Sequence, residues 1–272
     1  MYGLMLRFYL RGNMRKYAVL TLFFIAAGIC GCCGAARNTV TQFSTLDALL
    51  AGAYDGQVSC QELLNRGDQG IGTFEGLDGE MVLLDSKVYQ VKADGKVYRP
   101  KSCLRSPFAA VVKFAPDISA RVKEKMDLAA LEKIIDEKVG NRNIFCAIKI
   151  KGSFAAIRTR SVPGQKKPYP PLAEVTKTQP VFDLRAVSGT IVGFRLPEYI
   201  KGVNMPGYHF HFISDDALSG GHVLGLELDN AEVFIDTCNK FFLIVPQDKS
   251  LFSQVDLSLD RSQEMESVER AR

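Results

Sequence analysis

The sequence predicts an α+β fold, with two mixed or antiparallel β-sheet domains, flanking helices, and a metal site on a β-hairpin in the C-terminal half. Three observations lead there. Alternating apolar and polar residues, punctuated by glycine and Asp-Gly pairs, fill residues 70–99 and recur from 181 onward. Helical periodicity is confined to a few stretches that fall irregularly between runs of strands, the order of α+β rather than of βαβ units. All three histidines, His209, His211 and His222, lie within GYHFHFISDDALSGGH, residues 207–222.

At 272 residues and 47% hydrophobic content, the chain can build one large or two modest cores. Its first stretch stands apart. Arg7, Arg11, Arg15 and Lys16 precede the apolar run YAVLTLFFIAAGI, and no acid appears before Asp47. This is the basic and apolar pattern of a signal peptide over residues 1–31, and the run is shorter than the roughly 20 residues of a membrane span. Ile29-Cys30-Gly31-Cys32 resembles a lipobox, so the chain is expected to be exported, either lipid-anchored through Cys32 or free in the periplasm or medium. A start at Met14 would give a more typical leader. The leader carries four basic groups and no acid, so the formal charge of +4 belongs to it and the remainder is neutral. With no basic tract and no Trp, a nucleic-acid partner is not indicated. Cys60, Cys103, Cys146 and Cys238 form no C-x-x-C pair, which argues against a cysteine-ligated zinc and assigns no disulfide.

Helices are expected over 44–50 and 58–65. Gly-rich turns then separate strands at 70–74, 80–85, 87–92 and 95–99, an antiparallel meander. A strand over 108–114 precedes a helix over 123–139, whose Leu128, Leu131, Ile134 and Ile135 fall on one face. A hairpin around Lys151-Gly152-Ser153 is expected to join strands at 145–150 and 154–160. The segment SVPGQKKPYPPLAEV reads as a crossover between halves, because Pro168, Pro170 and Pro171 oppose helix. Strands at 181–183, 188–195, the histidine hairpin and 241–245 would form the second sheet, with VLGLELDNAEVFID contributing two strands around Asp229-Asn230.

Period-two alternation puts His209 and His211 on one face of a strand, and the Ser219-Gly220-Gly221 turn can bring His222 back to them. Three imidazoles converging on one point suit a divalent metal, with positions left for water or substrate. Zn2+ ranks ahead of iron or manganese. H-x-H also occurs in cupin-type sites, so the spacing names no reaction. By spacing alone Glu80, after the Asp78-Gly79 turn, is a solvated strand-edge acid, Arg160 a surface arginine in a basic run with Arg158, and Glu269 part of a frayed tail.

The blocks GIGTFEGLDGEMVLLDSKVYQVKADG, FAAIRTRSVPGQ and SGTIVGFRLPEYIKGVNMPGYHFHFISDDALSGGH closely resemble the bacterial α-acetolactate decarboxylases, from about Gln42 to the C-terminus. The resemblance implies that His209, His211, His222 and Glu80 are zinc ligands and that Thr73 and Arg160 lie near the substrate. Glu269 would be a late ligand or proton donor, on a tail folded back over the metal. It also implies an N-terminal α/β domain over 42–165, a C-terminal metal-binding domain over 166–272, and a homodimer. Where the family commonly has His-Gly-Asp-Phe-Gly, this chain has Arg66-Gly67-Asp68-Gln69-Gly70.

The expected activity is therefore the zinc-dependent conversion of (S)-2-acetolactate, a small-molecule substrate, to (R)-acetoin and carbon dioxide. Contact with a membrane would come only through the leader or its lipid. A non-catalytic zinc-binding lipoprotein on the same scaffold and a cupin-like oxygenase are the rivals. A sequestration site does not need a carboxylate-binding arginine beside its ligands.

Overall fold

The computed structural model describes residues 37–247 and 250–269, the Glu269 side chain excepted. These fall within one compact unit. The leader and Cys32 lie outside the described residues. In chain order the strands and helices begin with β1 (Thr39–Phe43), α1 (Leu46–Leu50), β2 (Val58–Ser59), α2 (Cys60–Arg66), β3 (Gln69–Thr73), β4 (Glu80–Leu84) and β5 (Lys87–Val91). Next come β6 (Val97–Tyr98), β7 (Arg105–Ser106), β8 (Ala109–Val112), β9 (Ile118–Val122), β10 (Met126–Asp127) and α3 (Leu128–Val139). The chain continues with β11 (Phe145–Arg160), α4 (Leu172–Thr176), β12 (Val181–Leu196), β13 (Gly207–Ser214), β14 (Gly220–Cys238), β15 (Lys240–Ile244) and α5 (Ser262–Glu269).

Two sheets result. The first has seven strands in the order β15-β1-β8-β3-β4-β5-β6, antiparallel except for the parallel β1–β15 pair. The second has six strands, and its ladders β11–β12, β12–β13, β13–β14 and β14–β11 close on themselves. The sheets pack through Val40, Ile71 and Val82 of one against Ala147, Val192 and Ile213 of the other. The amphipathic helix α3 covers the second sheet with Leu131 and Ile135, and α2 covers the first with Leu63. Helices α1, α4 and α5 share an apolar cluster with Phe108, Val162 and Met205. Helices and runs of strands are mixed irregularly, as the sequence predicted.

Several element boundaries differ from expectation. No hairpin forms at Lys151-Gly152-Ser153, because β11 runs unbroken with Gly152 paired to Gly189 on one side and Ala231 on the other. A side chain at Gly152 would run into the Asn230 carbonyl, so the glycine serves close approach rather than a turn. Asp229-Asn230 likewise lies inside the continuous strand β14, where the register against β11 shifts near Ser153 and Phe154, the mark of a bulge. Residues 181–183 and 188–195 are one strand, β12. Helix α3 starts at Leu128 rather than 123, because Asp127 caps it by accepting from the Ala130 amide at 2.8 Å. The strand at the end, β15, joins the first sheet instead of the second. Sheet membership changes between Val112 and Ile118, so a division at residue 166 does not follow the sheets. The four described cysteines are free thiols.

Candidate active site and metal centre

Strand alternation builds the centre. Along β13, Phe210 and Phe212 enter the core beside α3, which turns His209 and His211 to the opposite face, toward the first sheet. Cross-strand register then places His222 opposite His211 on one side and opposite Arg160 on the other. Gly221, at φ +129°, makes this possible: a Cβ there would lie 2.5 Å from the Arg160 carbonyl oxygen. From the first sheet, Thr73 and Glu80 face each other as a pair across β3 and β4.

The three imidazoles each offer a nitrogen, and these nitrogens all lie within 4.8 Å of one another. His209 Nε2 is 3.2 Å from His211 Nε2 and 3.2 Å from His222 Nδ1. His211 Nδ1 is 2.7 Å from the Met81 carbonyl oxygen. A carbonyl only accepts, so Nδ1 carries the proton and the Nε2 lone pair is directed at the centre, the orienting contact a metal-binding histidine needs. Glu80 approaches His211 Nε2 to 3.5 Å. Burial, aided by the Arg160 guanidinium, pushes the His209 pKa down to about 3, which keeps it in the neutral, metal-binding form. The donor set fits a divalent cation: three buried imidazole nitrogens, one adjacent carboxylate, and an outer contact fixing one tautomer.

Arg160, Glu80 and Thr73 are all buried, against the strand-edge and surface roles that spacing alone suggested for the first two. Arg160 Nη1 donates to Gln179 Oε1 at 2.7 Å. Thr73 Oγ1 donates to the Gly79 carbonyl at 2.7 Å, tying down the turn that aims Glu80. A cavity of about 40 Å3 joins Thr73, Glu80, Arg160 and the histidines to an apolar wall that includes Leu46, Leu49, Phe108, Val162, Leu172 and Val268. At roughly 10–15 Å3 for each water-sized group, it has room for a few of them.

Helix α5 therefore reaches the cavity through Val268, while the Glu269 side chain lies outside the described residues. Sequence reasoning missed Gln179, the Met81 carbonyl and the apolar wall. A backbone carbonyl carries no signature, and Gln179 had only its place just before Val181, the strand partner of Arg160. At the departure from the family block, Gln69 is buried and donates from Nε2 to the Ile148 carbonyl at 3.0 Å, bridging the two sheets.

The family model for alpha-acetolactate decarboxylase matches residues 40–259. That span holds Thr73, Glu80, Arg160 and the three histidines and ends before α5. The alpha-acetolactate decarboxylase of Methanosarcina mazei is 42% identical over 235 residues, 86% of this chain and 81% of that protein. That of Methylococcus capsulatus is 40% identical, covering 85% of this chain and 89% of its own. The crystal structure of alpha-acetolactate decarboxylase from Bacillus subtilis strain 168 superposes with a TM-score of 0.83 at 38% identity, covering 85% of this chain and 99% of that one. A Staphylococcus aureus protein described as similar to alpha-acetolactate decarboxylase gives 0.81 at 30% identity, covering 86% of this chain and all of its own.

Proposed function

The chain belongs to the alpha-acetolactate decarboxylase family, and from that premise we propose that it converts (S)-2-acetolactate to (R)-acetoin and carbon dioxide, using a divalent cation, zinc foremost, held by His209, His211 and His222. One observation carries the reading: the buried Arg160 guanidinium shares a small cavity with three convergent imidazoles and a buried carboxylate.

Acetolactate has a ketone β to its carboxylate, so loss of carbon dioxide leaves an electron pair that must be accommodated. A cation held by the histidines would supply Lewis acidity, the electron sink this requires. Arg160 binds the carboxylate, since its planar fork matches two oxygens and stays charged. Thr73 keeps Glu80 in place through the Gly79 carbonyl. Glu80, 3.5 Å from His211 Nε2, would join the histidines in holding the cation, and an acid at the cavity must hand a proton to one face of the carbon that lost carbon dioxide, which makes the product chiral. The apolar wall excludes water while that carbon awaits its proton. Glu269 joins as a further ligand or proton donor as α5 closes the cavity.

The same reading includes a homodimer, to be checked by light scattering, and export with Cys32 as the mature N-terminus, to be checked by the intact mass of native protein. Purified protein incubated with racemic acetolactate, with and without a chelator, tests the activity. Chelator-sensitive release of (R)-acetoin supports it, and no acetoin from metal-loaded protein refutes it.

A further inference from the structure

We propose that Gln179 is a positioning residue for Arg160, setting the plane of the guanidinium so that its fork faces the substrate carboxylate; this rests on the decarboxylase reading above. Arg160 is the last residue of β11, and its long side chain has several rotatable bonds between the strand and the charge. Ladder register fixes the Arg160 backbone between Val181 and His222 but leaves the guanidinium plane undetermined. Gln179 Oε1 holds one arm, accepting from Nη1 at 2.7 Å.

Gln179 is itself held. Pro180 follows it, which confines the Gln179 backbone to extended conformations. The Pro180 carbonyl accepts from the Ser161 amide at 3.3 Å, stitching residues 179–181 to the strand end that carries Arg160. The Gln179 amide nitrogen also lies 3.4 Å from the Thr176 carbonyl at the end of α4. The chemistry of the acceptor matters as much as its place. An amide oxygen orients a guanidinium without adding negative charge, whereas a carboxylate there would compete with the substrate's own.

Two variants of the zinc-loaded full chain separate these roles. Gln179→Met keeps the bulk and removes the acceptor, and Gln179→Glu keeps the acceptor and adds a charge. Gln179→Met is expected to lower kcat/KM for acetolactate roughly tenfold, with zinc content unchanged. Gln179→Glu is expected to raise KM more than it lowers kcat. In an Arg160→Lys background, Gln179→Met should cause no further loss, because the residue acts through the guanidinium. A change of less than twofold in Gln179→Met, or an equal tenfold loss repeated in the Arg160→Lys background, overturns the proposal. Should wild-type protein release no acetoin, the activity reading fails while this one is still read by calorimetry with 2-hydroxyisobutyrate. Weaker binding by Gln179→Glu than by wild type then supports it, and equal affinity overturns it.

Discussion

Replacing Met265 by Ala tests whether the last helix completes the cavity. Helix α5 is mostly polar, and among the described residues it buries only Met265 and Val268, at 4% and 1% exposure. Both pack into the cluster formed by Leu46, Leu49, Leu50 and Leu172. The nearby Lys201–Asp260 pair, at 3.4 Å, is solvent-exposed and adds little to docking. An eight-residue helix has little stability of its own, so docking rests on two side chains, each contributing roughly 1.5–3 kcal/mol. Truncating Met265 removes about 2 kcal/mol of that, close to a thirty-fold change in the ratio of undocked to docked helix. Amide exchange over 262–269 should speed up by that factor, while β11 and β14 keep their protection. Acetoin turnover should fall with it. Thirty-fold faster exchange with undiminished turnover would refute the view that α5 completes the site, and unchanged exchange would refute the account of its anchoring.

His211→Ala is expected to abolish stoichiometric zinc and activity together, which elemental analysis and an acetoin assay would check; full zinc content would remove His211 from the ligand set. Arg160→Lys keeps the charge but loses the fork, so kcat/KM should drop at least tenfold with little change in Tm. Glu269→Gln is expected to depress turnover and Glu266→Gln to leave it intact, a contrast that steady-state kinetics resolves; equal effects would strike Glu269 from the site. Asp236 is 1% exposed and accepts from the Ala115 amide, and burial raises its pKa above 3.8. The folded state therefore holds that proton more tightly than the unfolded one, and the stabilisation this gives below pH 3.8 is lost as pH rises through the folded value. Asp236→Asn keeps the acceptor and removes the charge, so it should raise Tm at pH 7 and flatten the pH dependence above about 4; a lower Tm at pH 7 would contradict this.

Local rules carried the reading wherever one strand or helix decided the outcome. The alternation of His209 and His211 with Phe210 and Phe212, the meander after Gly70, and the 3.6-residue face of α3 were legible because a single packing partner sits on one side of each. Gly152 and Asp229-Asn230 misled because glycine and Asp-Asn have two uses, turning the chain and letting another backbone approach. Only the partner strands decide between them, and those lie tens of residues away. The same limit hid the burial of Arg160 and Glu80, whose spacing matches solvent-facing residues. Their identification came from the resemblance of whole blocks. The return of β15 to the first sheet depends on β1, about 200 residues earlier in the chain, a pairing no local pattern encodes.

The hydrogen bond from His211 to the Met81 carbonyl joins a residue of the second sheet to the backbone of the first. A cation bound by the three histidines would thus act as a rivet through the seam, felt by both layers at once. Whatever loosens the seam, even far from the cavity, must weaken metal affinity, and loading must tighten the seam in return. At a free metal concentration a hundred times its dissociation constant, the loaded fold gains about 2.7 kcal/mol over the empty one. Metal supply would then govern how long the protein lasts as well as how fast it works.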